Sequence, residues 1–192
     1  MWREQIRPAL MIFIVLTVIT GVIYPLVVTG VSQVFFHKKA NGSLVYSSEG
    51  RVIGSTLIGQ NFDDPKYFWG RLSATTPAYN AAVSSGSNLG PSNPALVDAV
   101  KIRIAALKAV DPGNQALVPV DLVTASASGL DPHLSLAGVY YQFPRVARVR
   151  NLSEEVVRRV IDQNTSGRLL GLVGEPVVNI LNVNLALDRL KK

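Results

Sequence analysis

The sequence predicts an α+β protein: a single N-terminal transmembrane helix followed by one globular α+β domain. Three observations carry this expectation. From Pro8 to Phe36 no side chain is charged, and Arg7 and the pair Lys38-Lys39 bracket the run; about twenty mainly apolar residues suffice to cross a hydrocarbon core of roughly 30 Å. Residues 37–192 have the length of one ordinary domain with its own core. Within that stretch, helical and strand-like apolar patterns alternate with turn signals, without internal repeats or low-complexity tracts. The expected organisation is therefore a short N-terminal stretch over 1–8, a spanning helix over 9–36 and the domain over 37–192.

The apolar run exceeds the core of about 7–15 residues found in cleaved signal peptides, and no A-x-A-like site follows it, so it reads as a retained anchor. Thr17 and Gly21 lie four residues apart, on one face with Tyr24, in the small-residue pattern that lets helices approach closely in lipid. Pro25 lacks a backbone donor and is expected to kink the helix or end its straight portion. Arg3 and Arg7 balance Lys38 and Lys39, so the basic count leaves orientation open.

In the domain, Ser43 to Tyr46 and Arg51 to Ile58 read as a hairpin around Ser-Ser-Glu-Gly. Asp63 to Gly90 has no sustained period and many turn residues; it is expected to be a long ordered loop pinned by Tyr67, Phe68, Trp69 and Tyr79, and a recognition surface. Ser92-Asn93-Pro94 supplies a cap and a first-turn proline ahead of Leu96, Val97, Val100, Ile104 and Leu107 at helical spacing, with a stop near Asp111-Pro112-Gly113. Val118 to Val123 reads as a strand. Asp131-Pro132 reads as a helix start, with Pro144 interrupting or ending that helix. Ser153 before Glu154 and Glu155 starts another helix, ended by Asn164 to Gly167, whose buried stripe is Val156, Val157, Val160 and Ile161. Val177 to Val183 reads as a strand and Asn184 to Leu190 as a terminal helix.

Composition narrows the chemistry. The chain has no cysteine, which excludes disulfides, thiolate metal sites and thiol nucleophiles. Net charge is +6, of which Arg3, Arg7 and Glu4 supply only +1, so the basicity belongs mainly to the domain. That favours anionic lipid or an acidic partner over nucleic acid, because the basic balance is mild and lacks interleaved aromatics. There is no G-x-x-x-x-G-K-[ST] loop, no G-x-S-x-G elbow, and only two histidines, His37 and His133. No metal site is expected, and no cofactor of the chain's own.

Three groups of residues are candidates for function. Ser126, Ser128, Asp131 and His133 hold the residue types of a hydrolytic triad, which gives the alternative of a membrane-anchored cell-envelope hydrolase. The surrounding Thr124 to Pro132, dense in small hydroxyl residues, suits a close approach of backbones or reception of an anion; a self-capped turn is the competing expectation. Downstream, Arg145, Arg148, Arg150, Arg158 and Arg159 concentrate cation as a solvated face or a docking surface for lipid headgroups or an acidic subunit.

The chain resembles the C subunit of the bacterial Kdp potassium-importing P-type ATPase. The resemblance rests on Leu57-Ile58-Gly59-Gln60-Asn61-Phe62, Tyr79-Asn80, Ser85-Gly86-Ser87-Asn88-Leu89, Asn93-Pro94, Val123 to Pro132, Gln142 with Arg145-Val146-Ala147, and Asn184-Leu185-Ala186-Leu187-Asp188. It departs at Leu72, where a proline is expected. The resemblance implies an accessory, non-catalytic subunit of a potassium-uptake complex in the inner membrane. Its partners would be a channel-like potassium-binding subunit, an ATP-hydrolysing subunit and a very small accessory subunit, with the N-terminus cytoplasmic and the domain outside. It further implies a role in assembly and stability and help to the catalytic subunit in binding ATP, with ATP acting through the complex. If this chain touches nucleotide, Gln142, Ser126, Ser128 and Gly129 are the positions the resemblance points to.

Overall fold

The computed structural model describes residues 2–190, and the chain divides after Leu44 into two compact units. The first is the anchor. Helix α1 (Trp2–Val18) passes into a π-helical stretch (Ile19–Ile23) and then α2 (Tyr24–Phe35). Glu4–Phe35 form one continuous helical span of mean hydropathy 2.6, long and apolar enough to cross a membrane. Pro25 does not end it. The wider π turn just ahead shifts the backbone pairing, so that the Tyr24 N–H donates to the Ile19 carbonyl and the missing proline donor is absorbed. Thr20 Oγ1 donates back to the Leu16 carbonyl at 2.7 Å and supplies a further donor to that stretch. Thr17 lies in α1, Gly21 inside the π stretch, and Tyr24 and Pro25 open α2. A short α3 (His37–Ala40) follows.

The second unit is the α+β domain. Strands β1 (Leu44–Tyr46) and β2 (Val52–Ser55) form the expected hairpin, turned by the Gly50 N–H donating to the Ser47 carbonyl. Helix α4 (Pro94–Val110) is capped by Asn93, whose Oδ1 accepts from the Ala95 N–H at 3.0 Å, and it stops at Asp111 as expected. Helix α7 (Glu154–Gln163) is capped by Ser153 and buries Val157, Val160 and Ile161. Between and after these lie α5 (Val120–Val123), β3 (His133–Ser135), α6 (Leu136–Arg150), β4 (Thr165–Ser166), β5 (Val177–Asn179) and α8 (Ile180–Arg189). The three strands form an antiparallel sheet in the order β3-β5-β4, with Leu134 and Thr165 both opposite Val178. The core gathers Phe68, Leu107, Leu122, Leu134, Val139, Val146, Val157, Ile161, Val178, Val183 and Leu187.

Four expectations are corrected. Val120–Val123 is one helical turn, not a strand: Pro119 fixes the entry, Thr124 Oγ1 donates to the Val120 carbonyl, and the Asp121 carboxylate accepts from the Ser135 N–H at 2.8 Å. The residues after Asp131-Pro132 extend into β3, and the helix starts one strand later, where Ser135 Oγ accepts from the Gly138 N–H at 3.0 Å. Pro144 then lies inside α6 on its exposed side. The loss of roughly 3 kcal/mol that an interior proline costs is offset by the tight burial of Val139, Tyr141, Phe143 and Val146 on the same helix. Finally, β5 ends at Asn179, whose side chain accepts from the Asn182 N–H at 3.0 Å and starts α8 there, so Val183 is helical.

Candidate functional site

The expected recognition loop is ordered by two buried amides. Gln142 on α6 accepts from the Trp69 N–H at 2.9 Å and donates to the Trp69 carbonyl at 3.0 Å. Asn184 on α8 does the same for Phe68, with both bonds at 2.9 Å. Two consecutive residues of irregular backbone are thus held as a ladder would hold them, but by side chains from two helices. This matters because a buried backbone group without a partner costs about 1–3 kcal/mol. Gln142 is only 1% exposed, and its amide is spent on this clamp and on Arg145.

Arginines fasten the same segment. Arg145 sits over the Trp69 ring, donates to Gln142 Oε1 at 2.8 Å, and bonds the Pro65 carbonyl. Burial lowers its pKa to about 10, so it stays a cation at neutral pH. Arg103 covers the indole at 4.9 Å and donates to the Gly70 and Leu122 carbonyls. Arg150 donates to the Lys66 carbonyl at 2.7 Å, pairs with Asp188 at 2.9 Å and lies over Tyr67. Arg145 and Arg150 are therefore core residues, a correction to the expected basic surface: aromatic rings and loop carbonyls that the charge pattern did not reveal draw them inward. Arg148, Arg158 and Arg159 remain exposed. Arg148 pairs with Asp111 at 2.7 Å, Arg159 with Glu155 at 2.9 Å, and Arg158 lies over Tyr140 and Phe143.

The hydroxyl-rich turn packs against the outer part of the loop. The Gly59 N–H donates to the Leu130 carbonyl at 2.8 Å, the Ser85 N–H to the Ser128 carbonyl at 3.0 Å, and the Ser126 N–H to the Leu72 carbonyl at 3.2 Å. Ser73 Oγ donates to the Gly129 carbonyl at 2.7 Å. Gly129 has φ +68°, and a Cβ there would lie 2.7 Å from both the Ser85 carbonyl oxygen and Thr75 Cγ2. Small residues at these positions serve backbone contact.

A hollow of about 480 Å³ opens beside this turn, lined by Leu57, Arg71, Ser126, Ser128, Asp131 and Pro132 among others. Arg71 pairs with Asp131 at 3.2 Å and donates to the Ala125 carbonyl. His133 Nδ1 lies 3.4 Å from Asp131 Oδ1, which also accepts from the His133 N–H at 2.9 Å. Among the described residues no hydrogen bond joins His133 to Ser126 or Ser128, so the structure gathers the four residue types without assembling a nucleophile and base. Ser126 is buried and Ser128 exposed, its hydroxyl accepting from the Leu130 N–H.

Burial alone would raise the Asp131 pKa, but hydrogen bonds from His133 and Arg71 outweigh it and hold the carboxyl below its ordinary value. A carboxyl depressed in the folded state contributes stability that is complete above the unfolded value of about 3.9 and is lost as pH falls through the folded one. Asp131→Asn is thus expected to lower the unfolding midpoint at pH 7, and the gap from wild type should close as pH drops below about 4. A gap that stayed constant from pH 7 to 3 would refute this role.

Sequence reasoning missed the roles of Asn184, Arg71 and Arg103. The available signal for the first was an amide set among Leu181, Val183 and Leu187, where an aliphatic residue is the ordinary choice.

A helix long and apolar enough to span a membrane, followed by an α+β domain whose irregular loops are held by side-chain and backbone hydrogen bonds, defines the class of single-helix, membrane-anchored proteins with one folded domain. The profile described as "KdpC: K+-transporting ATPase, c chain" matches residues 6–189, and the chain belongs to that family. It is 62% identical over 190 residues to a protein of Polaromonas naphthalenivorans, covering 98% of this chain and 96% of the relative. It is 61% identical over 185 residues to one of Sorangium cellulosum, with 96% and 97% covered. The protein of Dechloromonas aromatica is 57% identical over 191 residues, with 99% and 100% covered. Each of these relatives is named Potassium-transporting ATPase KdpC subunit.

Proposed function

We propose that the chain is the non-catalytic accessory subunit that holds a bacterial potassium-transporting ATPase complex together. In this reading it is anchored in the inner membrane with its N-terminus cytoplasmic and its domain outside, near the outer entrance of the potassium path. Its partners are a channel-like potassium-binding subunit, an ATP-hydrolysing subunit and a very small accessory subunit. The observation that supports it best is the rigidity of the loop backbone: Phe68 and Trp69, themselves buried in the core, are clamped by Asn184 and Gln142, and the Ser126 to Asp131 turn is tied to Leu72, Ser73 and Ser85, so the exposed parts of these loops are held in one conformation. Such preorganisation lowers the entropy cost of docking. The anchor has no Asp, Glu, His, Lys or Arg between Pro8 and Phe36, which suits packing against other membrane helices and leaves ion passage to partners. We assign ATP to the ATP-hydrolysing partner, because of Gln142, Ser126, Ser128 and Gly129 only Ser128 is exposed.

A strain lacking this chain is expected to lose potassium uptake at low external potassium and to yield no intact complex from detergent extracts. A fully active, fully assembled pump in that strain would refute the proposal. Protease added from the outer face should cut the domain, while the N-terminus stays protected.

A further inference from the structure

Most exposed aliphatic side chains of the domain are scattered singly, as on any soluble surface. The exception is the loop joining β4 to β5. There Leu169, Leu170, Leu172 and Val173 are 69%, 89%, 81% and 67% exposed, four large aliphatics in five residues. This loop has defined geometry. Leu169 and Val173 bridge each other with N–H to O distances of 2.8 and 3.1 Å, and the Gly171 and Leu172 N–H groups donate to the Arg168 and Leu169 carbonyls. Leu170 is held at φ +53°, a backbone region that bulky residues rarely adopt, and Gly171 follows at +74°. The stem continues into β4 and β5, where Thr165 and Ser166 pair with Val178 and Val177. The sheet therefore projects an apolar knob into solvent.

We propose that this knob seats in an apolar pocket of another protein subunit of the complex assigned above, an inference that rests on that assignment. Its charge and composition favour protein over lipid as the occupant. Arg168 and Glu175 at the stem lie 3.7 Å apart and neutralise each other, and the tip carries no aromatic ring and no other base. Lipid-binding surfaces pair their apolar residues, leucine included, with uncompensated Lys or Arg, which this tip lacks. A rigid aliphatic tip on a charge-neutral stem instead suits a preformed apolar pocket, since its conformational cost is already met before binding.

The test co-expresses the full chain, tagged, with the other subunits of the potassium-transporting ATPase, and measures their recovery in mild detergent. The double variant Leu170→Ser/Leu172→Ser is expected to cut recovery at least tenfold, whereas Ile102→Ser, also strongly exposed but isolated, leaves it within twofold of wild type. Full recovery with the double variant, or an equal loss with Ile102→Ser, overturns the knob while leaving the assignment of the complex intact. Failure of the wild-type chain to recover any partner overturns both. A separate variant, Leu172→Trp, reconstituted alone in vesicles with brominated acyl chains, should add emission that is not quenched; quenching would place the tip in lipid and overturn the proposal.

Discussion

Replacing Asn184 with leucine is expected to lower the unfolding midpoint of the full chain in detergent by about 10 °C. The side chains share one branched shape, with leucine the bulkier, so no cavity is created, and the loss falls mainly on the Phe68 N–H and carbonyl, both of which Asn184 satisfies at 2.9 Å. Two orphaned backbone groups at about 1–3 kcal/mol each give roughly 2–6 kcal/mol. For a domain of this size each kcal/mol moves the midpoint by about 2–4 °C. Gln142→Leu should act in the same direction through Trp69, with an added effect on Arg145, which loses its acceptor. Amide hydrogen exchange separates the two clamps, because Asn184→Leu should expose the Phe68 amide first and Gln142→Leu the Trp69 amide. A midpoint shift below about 3 °C for Asn184→Leu would mean that those groups find other partners.

Gly129→Ala is expected to destabilise the domain by roughly 2–4 kcal/mol, combining left-handed backbone strain with a clash that neither neighbour relieves cheaply. The built Cβ would meet the Ser85 carbonyl oxygen at 2.7 Å, and that backbone can withdraw only by giving up the Ser85 N–H to Ser128 carbonyl bond. Gly50 provides the internal comparison. Its φ is +76°, close to the +68° of Gly129, yet its Cβ would meet nothing within 4 Å. Gly50→Ala should therefore cost only the strain of about 1–2 kcal/mol. Urea titration of both variants in the same detergent checks this, and equal costs would show that the close approach at Gly129 contributes nothing.

The elements legible in the sequence are those decided locally. Asn93-Pro94 and Ser153 announce α4 and α7 because a cap and the apolar spacing behind it lie within a few residues of one another. The single turn of α5, the strand β3 and the end of β5 were not legible, because distant partners decide them. Asp121 reaches Ser135, and Asn179 donates to the Thr56 carbonyl across 123 positions. The site divides along the same line. The density of serine and glycine from Thr124 to Pro132 signalled close backbone approach, but not that Leu72 and Ser85 would be the approaching strands of chain. Charge alone placed Arg145 and Arg150 on a surface. Their positions beside Phe143, Val146 and Ala147 on a helix, with Trp69 and Tyr67 supplying the rings, carry the opposite message.

The pair of amide clamps also sets an order in time. Phe68 is bound across 116 positions of sequence and Trp69 across 73, so neither can be secured while the ribosome is still making the middle of the chain. Closing contacts this remote is slow, since the entropy of a large loop is lost before any contact rewards it. The newly made domain thus keeps its aromatic segment accessible until the final helix emerges. In that interval proteases and quality control have their opportunity, and a chain truncated before Asn184 would be removed rather than incorporated.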